Sequence, residues 1–186
     1  MSVPTEHSIV ISPLVDLESE LLSQICQAVG QAFRYKTEII PLLEELNFAL
    51  DPNRSQYHST AILEKLATIA PRHAMKVLAI IQEDLFIPIM SYVYGEAQLG
   101  GKACIISIHR LKENPSFIAG AEVYRDRLIK ESIHELGHTF NLRHCPDPRC
   151  IMHYSRTVRD VDKKADQFCR YCNILLEDEL KGPKEK

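Results

Sequence analysis

The sequence predicts a single α+β domain, and three observations carry that reading. Residues 8–40 read as strand, helix and strand in succession. Met75–Ile81 is a nearly continuous apolar run, as a central parallel strand buried on both faces requires. The last third is helical in its periodicity and carries a cluster of histidines and cysteines. At 186 residues, 45% hydrophobic and 25% charged, the chain is long enough for one well-buried core and short for two.

The elements follow in order. Residues 8–14, SIVISPL, form a short buried strand closed by Pro13, and Asp16 then offers an N-cap to a helix over 17–33. Its apolar positions Leu21, Leu22, Ile25, Cys26, Val29 and Phe33 recur at three and four, the helical period. Residues 35–40 set Tyr35, Thr37 and Ile39 against charged neighbours and end at Pro41, which suits a second strand. Asp51-Pro52-Asn53 marks a loop, and a helix over 59–69 presents Ile62, Leu63, Leu66 and Ile69 on one face. After the central run, residues 88–94 and 102–109 are two strands expected to pair as a hairpin across a loop holding Gly95, Gly100 and Gly101. The second lies beside the histidine helix, either as an exposed edge open to strand addition by a peptide or as an ordinary sheet strand. A helix over 121–140 turns Val123, Ile129, Ile133, Leu136 and Phe140 to the core. A last helix over 159–180 buries Val161, Ala165, Phe168, Cys172, Leu175 and Leu176, before a polar tail, 181–186, expected to be disordered.

The chemistry is concentrated in residues 134–144, HELGHTFNLRH. His134 and His138, four apart on a helix, project from one face and can reach a single ion. Zinc takes imidazole readily, and three protein ligands with an open fourth position make its catalytic arrangement. His144 is the natural third ligand provided that the helix stops and the chain turns back. Asn141 stands where that turn is needed, and asparagine is the non-glycine residue that best tolerates a left-handed backbone. Glu135 falls beside the metal, where a general base stands to take a proton from a water whose pKa the metal lowers towards about 7. The reaction predicted is peptide hydrolysis. The five-residue H-E-x-x-H pattern occurs by chance, and the third histidine makes it far more specific.

Four of the six cysteines, Cys145, Cys150, Cys169 and Cys172, are spaced C-x4-C and C-x2-C, the paired pattern of a closed tetrahedral zinc site. A disulfide between Cys145 and Cys150 is the alternative. Cys26 and Cys104 stand alone in apolar segments and read as core residues. A net charge of −3 without a basic stripe argues against nucleic acid. No stretch approaches a membrane span, and Met1–His7 has no signal-like character, so the expectation is a cytoplasmic monomer that needs no membrane.

The stretch from His134 to Cys172 resembles the metzincin clan of metalloproteases and, within it, the archaemetzincin family. That family is marked by H-E-x-x-H-x-x-G-x-x-H, a cysteine directly after the third histidine, a C-x-M element and a closing C-x-x-C. Asn141 departs from it, standing where the family has glycine. The resemblance implies a catalytic zinc on His134, His138 and His144, Glu135 as base, Met152 in a Met-turn beneath the metal, and a second, structural zinc on Cys145, Cys150, Cys169 and Cys172. It implies a mixed, twisted sheet of about five strands with helices behind it. The sheet and active-site helix then occupy about 1–140, and the Met-turn, cysteine site and C-terminal helix about 141–180. Tyr154, two residues after Met152, matches a tyrosine that in related metzincins can approach the metal; here it either contacts zinc or the oxyanion, or only packs beneath the site. A peptide- or protein-binding zinc domain with little turnover is the runner-up to a peptidase, and a module built on the cysteine site alone ranks third. Glu135 separates the first two, because a binding module has no need of a base beside the metal.

Overall fold

The computed structural model describes residues 7–113 and 120–181. Strand β1 (Ser8–Pro13), helix α1 (Ser19–Phe33) and strand β2 (Lys36–Ile39) open the chain, and β1 and β2 pair in parallel, so the predicted β-α-β unit is present. The helix begins at Ser19 rather than at residue 17: Glu18 is its N-cap, and no side chain, Asp16 included, caps it. Strand β3 (Leu50–Asp51) and strand β4 (Gln56–His58) make a short antiparallel hairpin where the sequence suggested only a loop. Helix α2 (Ser59–Ile69), strand β5 (Ala74–Ile81), strand β6 (Leu85–Ile87), strand β7 (Met90–Val93), strand β8 (Gly95–Ala97) and strand β9 (Ala103–Ser107) follow.

Five strands form a mixed sheet in the order β2-β1-β5-β9-β8, with β8 alone antiparallel, and β3-β4-β6-β7 form a second sheet. The predicted hairpin is therefore only half present. Strand β9 does pair antiparallel with its predecessor, but that predecessor is β8, whereas 90–93 pair back on β6 in the other sheet. Residues 103–107 are also not an edge: β9 is hydrogen-bonded to β5 on one side and β8 on the other and is buried throughout. The edge on this side of the sheet is β8, with β2 at the other end.

The period-2 alternation of the central strands divides the core in two. Ile9, Ile11, Leu78, Ile80, Cys104 and Ile106 face α1, with helix α3 (Ala121–Thr139) and the C-terminal segment beyond it. Val10, Val77, Ala79, Ile81, Ala103 and Ile105 face α2. Helices thus cover both faces of the sheet, not one. Cys104 is fully buried and Cys26 packs half-buried against the same core, as the sequence suggested.

The predicted C-terminal helix is two helices, α4 (Val158–Lys163) and α5 (Arg170–Leu180). Between them the backbone bonds elsewhere: Ala165 N–H donates to the Arg149 carbonyl and Ile151 N–H donates to the Gln167 carbonyl. Val161, Cys172 and Leu176 are buried as expected, but Ala165 is exposed and Leu175 is 37% exposed. Cys169, which lies inside the single helix predicted over 159–180, is instead the N-cap of α5. Residues 182–186 of the expected tail lie outside the described residues.

Candidate active site

Helix α3 carries three of the predicted site residues and is more deeply placed than its pattern suggested. Leu128, Glu131, Ser132, Ile133, His134, Glu135, Leu136 and Gly137 are all buried, so its second half is enclosed on nearly every side, while Val123 and Ile129 are only half-covered. Two ion pairs, one half-buried and one buried, fix it to the following segment. The Arg127 guanidinium donates to both Asp162 oxygens at 2.6 and 2.7 Å, and Lys164 Nζ donates to Glu131 at 2.9 Å with both side chains at most 3% exposed.

The helix ends as the sequence predicted. Asn141 has φ 63°, its N–H donates to the His138 carbonyl at 2.9 Å, and Leu142 N–H donates to the Gly137 carbonyl at 3.0 Å. This is a Schellman closure with asparagine in the left-handed position. Its consequence is chemical. The chain folds back so that the Leu142 carbonyl lies 2.7 Å from His138 Nδ1, and the Ile151 carbonyl lies 2.8 Å from His134 Nδ1. Each carbonyl must receive a proton from its ring, which fixes the tautomer and leaves Nε2 as a bare lone pair.

The two Nε2 atoms are 3.2 Å apart, and the ring of His144 completes the cluster at centroid distances of 5.4 and 4.8 Å. All three offer ligand atoms within 4.8 Å of one another. Tetrahedral zinc with arms of about 2.0–2.1 Å requires nitrogens about 3.3 Å apart, so the donor set fits. Burial, then Lys164 and His138, hold His134 well below the usual imidazole range. Burial lowers His138 as well, and His144, open to solvent on one side, is pulled down to about 4 by desolvation on its other side and by His138. All three are therefore neutral at neutral pH, with lone pairs that could take a metal.

Glu135 is 6% exposed, and burial followed by the nearby Glu131 charge raises its carboxyl well above the usual range, with Lys164 opposing. It stands against strand β8 at a glycine. A Cβ on Gly95 would lie 2.7 Å from Glu135 Cγ and 2.9 Å from Oε1. Sequence reading placed Gly95 in a loop; its real role, an absent side chain, leaves no local signal. Gly137 works the same way beneath the helix, where a Cβ would meet Met152 Sδ at 2.5 Å. Met152 is fully buried there. Lys76, also missed, donates from Nζ to the Gly101 and Thr139 carbonyls at 2.7 and 2.6 Å, tying the β8–β9 turn to the end of α3. A lysine inside an apolar strand was its only sequence signal.

The segment after His144 forms the second cluster. Cys145, Cys150, Cys169 and Cys172 have all their sulfurs within 4.8 Å, and Cys145 and Cys169 Sγ are 3.8 Å apart, the edge of a tetrahedron with arms of about 2.3 Å. All four are free thiols, so no disulfide joins Cys145 to Cys150. Burial, then Cys150, push the Cys172 thiol up, whereas hydrogen-bonding neighbours outweigh burial at Cys169 and hold it down. Four sulfurs so placed cannot all ionise without a cation among them. The two clusters share a backbone: Cys145 N–H donates to the Met152 carbonyl at 2.9 Å, and the His153 ring bonds the Cys145 carbonyl at 2.8 Å.

A cleft of about 750 Å³ opens over the histidines between β8 and the segment after α3. Tyr154 lines it, 38% exposed, its ring centroid 5.0 Å from that of His144 and its hydroxyl without a partner among the described residues. Along β8 the hydrogen bonds Ser107 N–H to Tyr94 and Gln98 N–H to Ala103 set the register, so Glu96 pairs inward with Ile105 and the backbones of Gly95 and Ala97 face outward.

The chain matches peptidase family M54 over residues 6–178. It is 35% identical over 173 residues to the archaemetzincin of Methanocaldococcus jannaschii, covering 91% of this chain and 93% of that protein. The archaemetzincin of Archaeoglobus fulgidus is 34% identical over 164 residues, 88% of this chain and 95% of that protein. Among solved structures, the archaemetzincin of Methanopyrus kandleri superposes with a TM-score of 0.81 at 31% identity, covering 96% and 97% of the two chains. A zinc-dependent peptidase from Methanocorpusculum labreanum gives 0.81 at 27% identity, covering 91% and 100%. Likeness that runs nearly end to end in both sequence and fold means that the chain belongs to peptidase family M54, the archaemetzincin zinc metalloproteases.

Proposed function

We propose that the chain hydrolyses peptide bonds in the cleft between β8 and α3, with Glu135 as general base and His134, His138 and His144 as ligands of a catalytic zinc. Cys145, Cys150, Cys169 and Cys172 are the ligands of a second, structural zinc. One observation carries the reading: the two Nε2 lone pairs, 3.2 Å apart with both Nδ1 atoms bound to carbonyls, repel each other until a cation lies between them. Zinc, when bound, supplies Lewis acidity that polarises a carbonyl and acidifies a water at the position that the protein leaves open.

The side chains do the rest. Glu135 takes the proton of the attacking water and returns it to the leaving amine, and its burial strengthens its hold on that proton. An extended peptide adds to β8 through the outward N–H and C=O groups of Gly95 and Ala97, which position it without reading its side chains. The Tyr154 hydroxyl, free of protein partners beside His144, donates to the developing oxyanion. Met152 packs under the ligand helix and touches no substrate. The reading extends to a cytoplasmic monomer acting without nucleic acid or membrane; the clustered free thiols and the net charge of −3 support the compartment and the exclusion of nucleic acid. No described helix is long and apolar enough to cross a membrane.

The test is zinc-loaded protein incubated with a diverse peptide mixture, read by mass spectrometry beside Glu135→Gln. Cleavage by the wild type should fall by about 10² to 10⁴-fold in the variant at unchanged zinc content. Equal cleavage by both would remove Glu135 as the base.

A further inference from the structure

The carboxylates and cations of the cleft are unevenly matched. Of its three carboxylates besides any substrate's, Glu131 is ion-paired with buried Lys164, and Glu96 accepts hydrogen bonds from the Ser59 and Thr60 hydroxyls at 2.5 and 2.9 Å. Glu135 is the buried base. On the wall formed after α3, Arg143 and Arg156 are exposed, both line the cleft, and neither guanidinium has a partner among the described residues. Arg110 is committed to Asp84, Arg127 to Asp162 and Arg125 to Asp126, whereas Arg72, Arg149, Arg159 and Arg170, which also lack a guanidinium partner among the described residues, do not line the cleft.

Their backbones are not loose. Arg143 sits between Leu142, whose carbonyl binds His138, and His144 itself. Arg156 donates its N–H to Asp160, and its carbonyl accepts from the Tyr92 hydroxyl at 3.0 Å, which ties it to β7 across the cleft. Two unpaired guanidinium groups carried on anchored backbone on the cleft wall, in a chain whose net charge is −3, make a local positive rim that the protein itself does not neutralise. A guanidinium fork is built to take a carboxylate.

We infer that Arg143 and Arg156 select peptides bearing a carboxylate, an acidic side chain or a free C-terminus, next to the bond held over the histidines. This rests on the reading of the cleft as a peptide site. The uncharged cleft residues Ile87, Met90, Val93 and Leu99 leave the rest of the peptide an apolar wall.

The test uses labelled peptide pairs that differ only in Glu against Gln at successive positions, or in a free against an amidated C-terminus. Binding is measured by fluorescence anisotropy on zinc-loaded Glu135→Gln protein, and cleavage of the same peptides on the wild type. The carboxylate member of at least one pair should bind about 10-fold tighter, and that preference should shrink as salt rises from about 50 to about 500 mM. In Glu135→Gln protein also carrying Arg143→Gln and Arg156→Gln, with an unchanged melting temperature, the preference should collapse to about one. Which pair responds identifies the carboxylate as side chain or terminus. Equal binding within every pair, no binding at all, or a preference that survives the double arginine change overturns the inference whatever the wild type cleaves. A preference that collapses as expected, with no peptide cleaved by the wild type, supports it and refutes peptide hydrolysis instead.

Discussion

Replacing Gly95 by alanine puts a methyl group where Glu135 now lies. The new Cβ would be 2.7 Å from Glu135 Cγ, 2.9 Å from its Oε1 and 2.5 Å from the Ile105 carbonyl oxygen, a backbone atom of the neighbouring strand. Carbon atoms approach comfortably at about 3.5 Å, so a shift of nearly an ångström is required. It cannot be taken up on the β9 side without breaking the ladder, and β9 is held by β5 behind it. The adjustment therefore falls on Glu135 and on the line of β8. Overpacking of this kind costs about 1 to 3 kcal/mol, a melting temperature lower by about 3 to 10 °C. An ångström of misplacement at a base costs about 10²-fold in turnover. The histidines are untouched, so zinc content should stay at the wild-type value. The assay is steady-state cleavage of a peptide substrate alongside zinc analysis and thermal melting. A Gly95→Ala protein with wild-type kcat and melting temperature would show that β8 does not press on Glu135, and the reasoning from close approach would fail.

Other substitutions divide the structure into its parts. Asn141→Gly should keep wild-type zinc affinity, whereas Asn141→Val forces a β-branched residue to φ 63° at a cost of about 1 to 3 kcal/mol and should weaken zinc binding at His144; equal affinity across the three, by chelator competition, would place the turn elsewhere. Cys169→Ser should lose one zinc of two, lower the melting temperature and loosen the start of α5, because metal binding there is folding energy; an unchanged melt with both metals retained would refute a structural zinc. Tyr154→Phe keeps the ring on His144 and removes the hydroxyl, so kcat should fall by about 10² to 10³ while the melting temperature stays put; an unchanged rate would leave Tyr154 as packing.

What the sequence by itself determined is what short-range geometry enforces. Two histidines one helical turn apart must share a face, an asparagine can end that helix in a left-handed turn, and a β-α-β unit with a following apolar run must make a parallel sheet. Cys145, Cys150, Cys169 and Cys172 were legible as a tetrahedral set from spacing alone, and the structure gathers them within 4.8 Å. What only the tertiary structure decided depends on partners far along the chain. That β8, not 102–109, is the edge beside the histidine helix follows from β9 finding β5 on its other side. The break between α4 and α5 has no glycine or proline to announce it; it arises because the Arg149 and Gln167 carbonyls accept the N–H groups of Ala165 and Ile151, and because Lys164 is drawn in to Glu131. Gly95, Lys76 and Arg127 acquire meaning only against Glu135, Thr139 and Asp162. A residue's neighbours within one turn are fixed by its backbone, whereas its neighbours across the fold are chosen by which buried groups must be covered and paired, a condition set by the whole chain at once.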